Sequence, residues 1–423
     1  MYRLLSPFRA VITCVALAAV AQSLSAETTP AASPSTPAAE PAKKQSPNLT
    51  PPPAEDPQVY PEVALPAEKP FAHPGILNTQ ADLDFARGKI KSGEEPWAAG
   101  FKKMQGDRFC SLKYQAKPIP DVMQGPYGKP DQGGGQLARD GSAAYGHALM
   151  WCLTGERAHA DQAAEILRGY ATTLKTVTGA TNQEKVLCGW AGCKFAAAGD
   201  LLRSYRQPDG AVSGFTEEDA AKLGEMFTQI FYPTIQDFQP TFNGNWDTTM
   251  INTMAAMGVY LDDHAMFNKA LAYYLNGKTK GRLTHYIYPE TGQCQETMRD
   301  QAHTQMGLGA MAAVCRTAQS QGLDLWSAAD NRLALGYEYT AKYNLGLDVP
   351  CTGEPGSGSR GKFMPIWELV YQHYAVEKGM PMPYVEQVLQ KSRPAGGGDL
   401  TMESWGTVLY YQGPPLPVAP AAK

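Results

Sequence analysis

An acid, a guanidinium and an imidazole recur in one short stretch. In "CQETMRDQAHTQMG" (Cys294–Gly307), Glu296, Arg299 and His303 stand three and four residues apart. On a helix that spacing places all three on one face. A solvated helix would carry Lys and Glu there and a buried one Leu, so the row reads as a functional face, with Asp300 beside it. Two neighbouring stretches raise the density of such groups. "FNGNWDTT" holds Asn243, Asn245, Trp246 and Asp247, and "GRLTHYIYPE" holds Arg282, His285, Tyr286 and Tyr288. Each has an ordinary explanation when taken singly. Asn243 or Asn245 can cap the helix that follows, Glu296 with Arg299 can be a plain ion pair, and a lone histidine is usually core. Together they combine donors that do not compete for a proton with side chains that transfer one. That set suits an anionic substrate.

The elements that must position these residues are helical. Stretches such as "DGSAAYGHALMWCLTG", "RAHADQAAEILRGYATTLKTV" and "WDTTMINTMAAMGVYL" show apolar residues at helical spacing, with capping residues ahead of them and Gly behind. Roughly a dozen such stretches follow one another with short connections and little strand signal. Arrays of paired helices close into solenoids or toroids, and the expected fold is all-α, a single α/α barrel of about six to seven helix pairs with its cleft at one end. Three connections are long and well furnished. Gln124–Asp140 carries Tyr127, Lys129 and Arg139, Tyr232–Asp247 is aromatic and amide-rich, and Cys351–Phe363 brings Arg360 and Lys362. Loops on a rigid scaffold are where binding groups tend to sit.

Bulk properties bound the rest. The 423 residues are 43% hydrophobic and 10% aromatic, enough for a sizeable core. Arg3 and Arg9 precede the apolar run "AVITCVALAAVA", so residues 1–26 are expected to be a secretory signal peptide and the location periplasmic or secreted. Removing them deletes those two cations and no acid, which moves the formal charge from −4 to −6 and argues against nucleic acid as partner. Residues 27–70, rich in Pro and Ala, are expected to be a disordered linker, ahead of a folded domain at 71–415. No later stretch is apolar for long enough to span a bilayer. Seven cysteines remain after the leader; Cys188 and Cys193 are the pair nearest in sequence, and a disulfide there stands against two small buried residues on a helix. No CxxC or HxxxH pattern supports zinc, so no metal or cofactor is expected, and the oligomeric expectation is a monomer.

The runs "NGNWDTTMINTMAAMGVYLDD", "YPETGQCQETMRDQAHTQMGLG" and "ADNRLALGYEYTAKYNLG" resemble the alginate-lyase superfamily of polysaccharide lyases, most closely the group called polysaccharide lyase family 38. The resemblance covers most of the folded chain and implies an α/α toroid acting on anionic polysaccharide by β-elimination. Such a reaction removes the C5 proton beside a carboxylate and expels the 4-linked sugar. The carboxylate must be neutralised by fixed donors, and a base and an acid must be supplied. Asn245 and Arg299 suit neutralisation, and His303 suits base or neutraliser. Tyr286 or Tyr288 suits the acid or a combined acid and base, provided nearby positive charge lowers its pKa. The chain departs from the better-known relatives in two places. They have Asn-Asn-His where this chain has Asn243-Gly244-Asn245, and a catalytic Tyr where it has Met306. Substrate subsites are expected from Tyr127, Arg139, Trp190, Asn243, Trp246, Arg282, Glu296, Arg360 and Lys362. Glucuronan and mannuronate-rich alginate both fit, with endo cleavage. The alternatives are an α/α-barrel glycoside hydrolase, which needs two carboxylates across the cleft from Asp247, Glu296, Asp300 or Glu403, and a non-catalytic polysaccharide-binding protein.

Overall fold

Apolar residues at helical spacing, closed off by caps, build this chain. The computed structural model describes residues 56–395, 397 and 404–413. The expected leader, residues 27–55 of the expected linker and Glu403 lie outside them. In chain order the helices are α1 (Gln80–Ser92), α2 (Trp97–Gln105), α3 (Gly134–Thr154), α4 (Arg157–Thr173), α5 (Gln183–Ser204), α6 (Glu217–Met226) and α7 (Tyr232–Ile235). They continue with α8 (Gly244–Tyr260), α9 (His264–Asn276), α10 (Leu283–Tyr286), α11 (Gln301–Ser320), α12 (Ala328–Asn344), α13 (Trp367–Tyr371), α14 (Pro383–Ser392) and α15 (Gly406–Tyr410). Capping boxes start α1 at Thr79 and Asp82, and α6 at Thr216 and Asp219, each satisfying N–H groups that a helix start leaves open.

The fold is an all-α toroid. Helices α3, α5, α8 and α11 pack side by side as an inner ring, and α4, α9 and α12 lie outside them. The inner helices are buried nearly all round, and every residue of α8 is buried. A helix without a solvated face needs small residues where a neighbour crosses it. On α5, a Cβ at Gly189 or Gly192 would collide with Thr249 or Thr253 of α8. The ring closes where α15 packs on α1 and α2.

Two features depart from the sequence expectation. A small sheet, ordered β2-β1-β3, is inserted beside the barrel mouth, with β1 at Asp121–Gln124, β2 at Asp131–Gln132 and β3 at Thr176–Gly179. Strand β1 pairs antiparallel with β2 and parallel with β3, so the connection Gly125–Pro130 becomes a hairpin held over the barrel end. These strands are too short to register as alternation. The folded part also begins upstream of residue 71. Residues 56–70 run extended along α9, where Asn268 brackets the backbone of Leu65 (2.8 and 3.0 Å) and Asn276 brackets that of Tyr60 (2.9 and 3.1 Å). Leu65 is 1% exposed. Pro-rich composition forecasts no core of its own; it says nothing of amide side chains elsewhere that satisfy the backbone. Cys188 and Cys193 are both buried on α5, and no disulfide joins them or the other described cysteines.

Candidate active site

Four segments converge at the barrel mouth around a cavity of about 520 Å³. The hairpin contributes Gln124 and Tyr127, the first half of α5 contributes Gln183 and Trp190, the start of α8 contributes Phe242, Asn243, Asn245 and Trp246, and the turn ahead of α11 and its first residues contribute Arg299 and His303.

The centre of the arrangement is Glu296, which is fully buried. Its Oε1 accepts from Arg299 Nη1 at 2.9 Å and from Asn245 Nδ2 at 3.2 Å, while Oε2 accepts the backbone N–H of Asn245 at 3.1 Å. Burial pushes the Glu296 carboxyl up; the Arg299 guanidinium opposes this. The first turn of α8 adds an aligned set of N–H dipoles that favours an anion. One buried carboxylate therefore orients both Arg299 and Asn245 toward the cavity. Nη2 of Arg299 has no acceptor among the described residues.

Glu296 and Arg299 do not share a helix with His303. Gln295–Arg299 is a run of turns, and α11 begins at Gln301 with Asp300 as its cap. Side chains with acceptable helix propensity (Gln, Glu, Met, Arg) carry the pattern across this boundary in the sequence. The tertiary structure breaks it, because the loop after Cys351 binds here: Gly356 N–H donates to Thr297 O (2.8 Å) and Gln301 N–H to Gly358 O (2.8 Å). Asp300 does two jobs, accepting the backbone N–H of His303 (2.9 Å) and meeting its Nδ1 (2.7 Å). A proton on Nδ1 leaves Nε2 as an acceptor facing the cavity. Burial raises the Asp300 carboxyl, but these His303 contacts outweigh it and hold it below the usual range.

Asn243 is the N-cap of α8 by position, yet its side chain caps nothing; its Oδ1 accepts from Gln295 Nε2 (3.1 Å). Gln295 Oε1 takes the Gly244 N–H instead (2.9 Å). Gly244 is required because the Tyr286 ring and the Lys280 carbonyl fill the space where a Cβ would stand. Tyr286 is thus a wedge: fully buried, it donates to Thr304 O (3.1 Å) and presses on Gly307. This is the physical reason for Asn-Gly-Asn in place of a bulkier run.

The tyrosines expected to transfer protons do not line the cavity. Burial and the Glu296 charge push the Tyr286 hydroxyl well above its ordinary value, the opposite of the lowering expected for an acid–base group. Burial likewise pushes Tyr288 up to about 12. Tyr127 does reach the cavity; it is 81% exposed, at φ 55° on the hairpin, a left-handed conformation uncommon outside Gly and Asn. Of the expected subsite residues, Tyr127, Trp190, Asn243 and Trp246 line the cavity. Glu296 lies behind it. Arg282 is turned away and holds the docked N-terminal segment through the carbonyls of Asp56 and Gln58. Arg139 donates to Gln136 (3.1 Å). Arg360 covers the Tyr343 ring at 4.0 Å and donates to the Tyr343 carbonyl (2.9 Å). Lys362 does not line this cavity, and its carbonyl accepts from Gln305. Side-chain charge alone cannot tell which way a loop presents its cations. Sequence reasoning also passed over Phe242, which stacks on Trp246 at 4.4 Å and 22°; its place directly before the Asn-Gly-Asn run was the available signal.

Among the described residues no Asp or Glu lines the cavity. Asp247, buried beneath it, accepts from Gln239 N–H (2.7 Å) and is raised by burial to about 6. Among the described residues no group of three or more His, Cys, Asp or Glu could hold a metal ion, and no helix is long and apolar enough to cross a membrane.

The sequence profile of the alginate lyase family matches residues 104–348, more than half of the chain. An alginate lyase structure from Bacteroides ovatus superposes with TM-score 0.59 at 16% identity, covering 81% of this chain and 100% of that one. One from a Sphingomonas species gives 0.58 at 13% identity, covering 83% and 100%. An alginate lyase variant complexed with a tetrasaccharide gives 0.54 at 14% identity, covering 82% and 98%. At these identities the likeness is one of fold. No curated protein sequence matches.

Proposed function

The chain belongs to the alginate lyase family and is a polysaccharide lyase; we propose that it cleaves β-1,4-linked polyuronate, glucuronan or mannuronate-rich alginate, by endo-acting β-elimination. The observation that carries this reading is the pair Arg299 and Asn245 held on one buried carboxylate, beside a cavity that no carboxylate lines among the described residues. The uronate carboxylate docks on Arg299 Nη2 and the Asn245 amide, with Asn243 alongside. Its charge is thereby neutralised, and the C5–H becomes acidic enough to lose. His303 Nε2, oriented through Asp300, takes that proton. The C5–H electron pair forms the C4–C5 double bond as the C4–O bond breaks, and the leaving oxygen receives a proton from Tyr127. Water then returns a proton to Tyr127 and removes one from His303.

Tyr127 takes the role first given to Tyr286 or Tyr288 because it is the tyrosine that lines the cavity with Arg299 and His303. The open mouth supports endo cleavage. A hydrolase would need two carboxylates facing the substrate; Glu296 and Asp247 are buried behind the wall and Asp300 is committed to His303. Incubation with glucuronan and alginate blocks should yield the ultraviolet absorbance of an unsaturated uronate. Reducing ends without that absorbance would mean hydrolysis and end this reading.

A further inference from the structure

A homopolyuronate presents a carboxylate on every ring, yet the cavity offers one permanent cation. Among the described residues that line it, Arg299 is the one Arg or Lys. Arg139, Arg282 and Arg360 are bound to protein groups elsewhere. Around Arg299 the wall is aromatic and amide. Trp190 projects from α5, and Phe242 stands at the start of α8, backed by Trp246. Gln124 and Gln183 supply uncharged hydrogen-bonding groups. A carboxylate set against an indole or phenyl face loses hydration with no counter-charge, which is unfavourable. A neutral pyranose instead lays its C–H face on such a ring and turns its hydroxyls or N-acetyl group to the amides.

We infer that the productive complex recognises a single carboxylate, that of the sugar being cleaved, and seats uncharged sugars on the flanking aromatic walls. The favoured substrate is then a chain in which glucuronate alternates with neutral residues. This rests on the lyase reading and revises its substrate, the homopolyuronates becoming the poorer ones.

The test uses the full chain on three polymers at equal uronate concentration: an unsulfated chain alternating glucuronate with N-acetylglucosamine, homopolyglucuronate and homopolymannuronate. Unsaturated product is followed between about 0.1 M and about 1 M salt, over which screening shortens from about 10 Å to about 3 Å. The alternating chain should give a kcat/KM about tenfold above either homopolymer, with a KM that changes less than about threefold with salt. Faster cleavage of a homopolymer, with a KM that climbs steeply with salt, would overturn the inference while leaving the lyase reading intact. Absence of unsaturated product from all three would remove both. Thr181→Arg adds a second cation to the wall at an exposed lining residue that has no assigned contact with the substrate. It should move the preference toward the homopolymers several-fold at low salt; an unchanged preference would count against a charge-limited cavity.

Discussion

Arg299 and Asn245 act as a pair because Glu296 holds both, so their effects should be coupled. Arg299→Ala is expected to lower kcat/KM by about a hundred- to a thousandfold, roughly 3–4 kcal/mol of transition-state stabilisation. Steady-state kinetics on the best polyuronate would check this, and unchanged turnover would mean the wrong arginine. Glu296→Gln keeps the shape but gives up the charge that orients Arg299. Its loss should be non-additive with Arg299→Ala in a double-mutant cycle, whereas independent effects would separate the two residues. Because the Glu296 carboxyl is raised by burial, it gains its proton at a higher pH than an ordinary glutamate on acidification. The acid limb of the activity profile should therefore begin above the usual carboxylate range. The tyrosines divide cleanly. Tyr127→Phe should remove most of kcat, while Tyr286→Phe, which loses one hydrogen bond at a buried wedge, should keep activity and lose about 1 kcal/mol of stability. The reverse outcome would restore Tyr286 as the acid. Of this chemistry, the sequence exposed the residue types. It could not expose their roles, because Tyr286 and Tyr127 differ in burial and direction rather than in identity.

At the scale of elements, α3 and α4 are joined by an unusual contact. His147 and His159 are both buried, and their Nδ1 atoms stand 2.8 Å apart. Such a pair works only when one ring donates and the other accepts. Burial and the neighbouring histidine push His147 down to about 3. Its folded pKa thus lies below the ordinary 6.5, so the unfolded chain takes the proton first as pH falls. Above about 6.5 the group contributes no pH dependence. Between there and about 3, stability should fall by about 1.4 kcal/mol per unit, or roughly 2 kcal/mol on reaching pH 5. Denaturant unfolding at pH 7 and pH 5 measures this, and His147→Gln should flatten the difference; an equal slope in both proteins would show the pair is not responsible. The element signals were uneven in the sequence. Long helices announced themselves by periodicity, whereas the start of α11 was hidden by helix-tolerant residues and the strands were too brief to show a period.

For the whole molecule, neutralisation by Arg299 and the amides implies turnover that survives chelation, so EDTA treatment should leave the rate unchanged and a collapse in activity would bring a metal into the reaction. What the sequence determined by itself was the architecture and the kind of chemistry. Helical periodicity called for an array of paired helices, solenoid or toroid, the family resemblance implied the toroid, and a dense group of Asn, Arg, His and Tyr fits an anionic substrate. The direction of each side chain came from tertiary contacts. Arg282 and Arg360 looked like substrate ligands and prove to brace the backbone, Glu296 moved from the wall to behind it, and Tyr127 came over the cavity on a hairpin. The physical reason is that periodicity encodes which face of an element is buried, a local property. Whether a buried charge or hydroxyl points at solvent, at another helix or at a substrate depends on partners far away in the chain, such as the loop after Cys351 that ends one turn and starts α11.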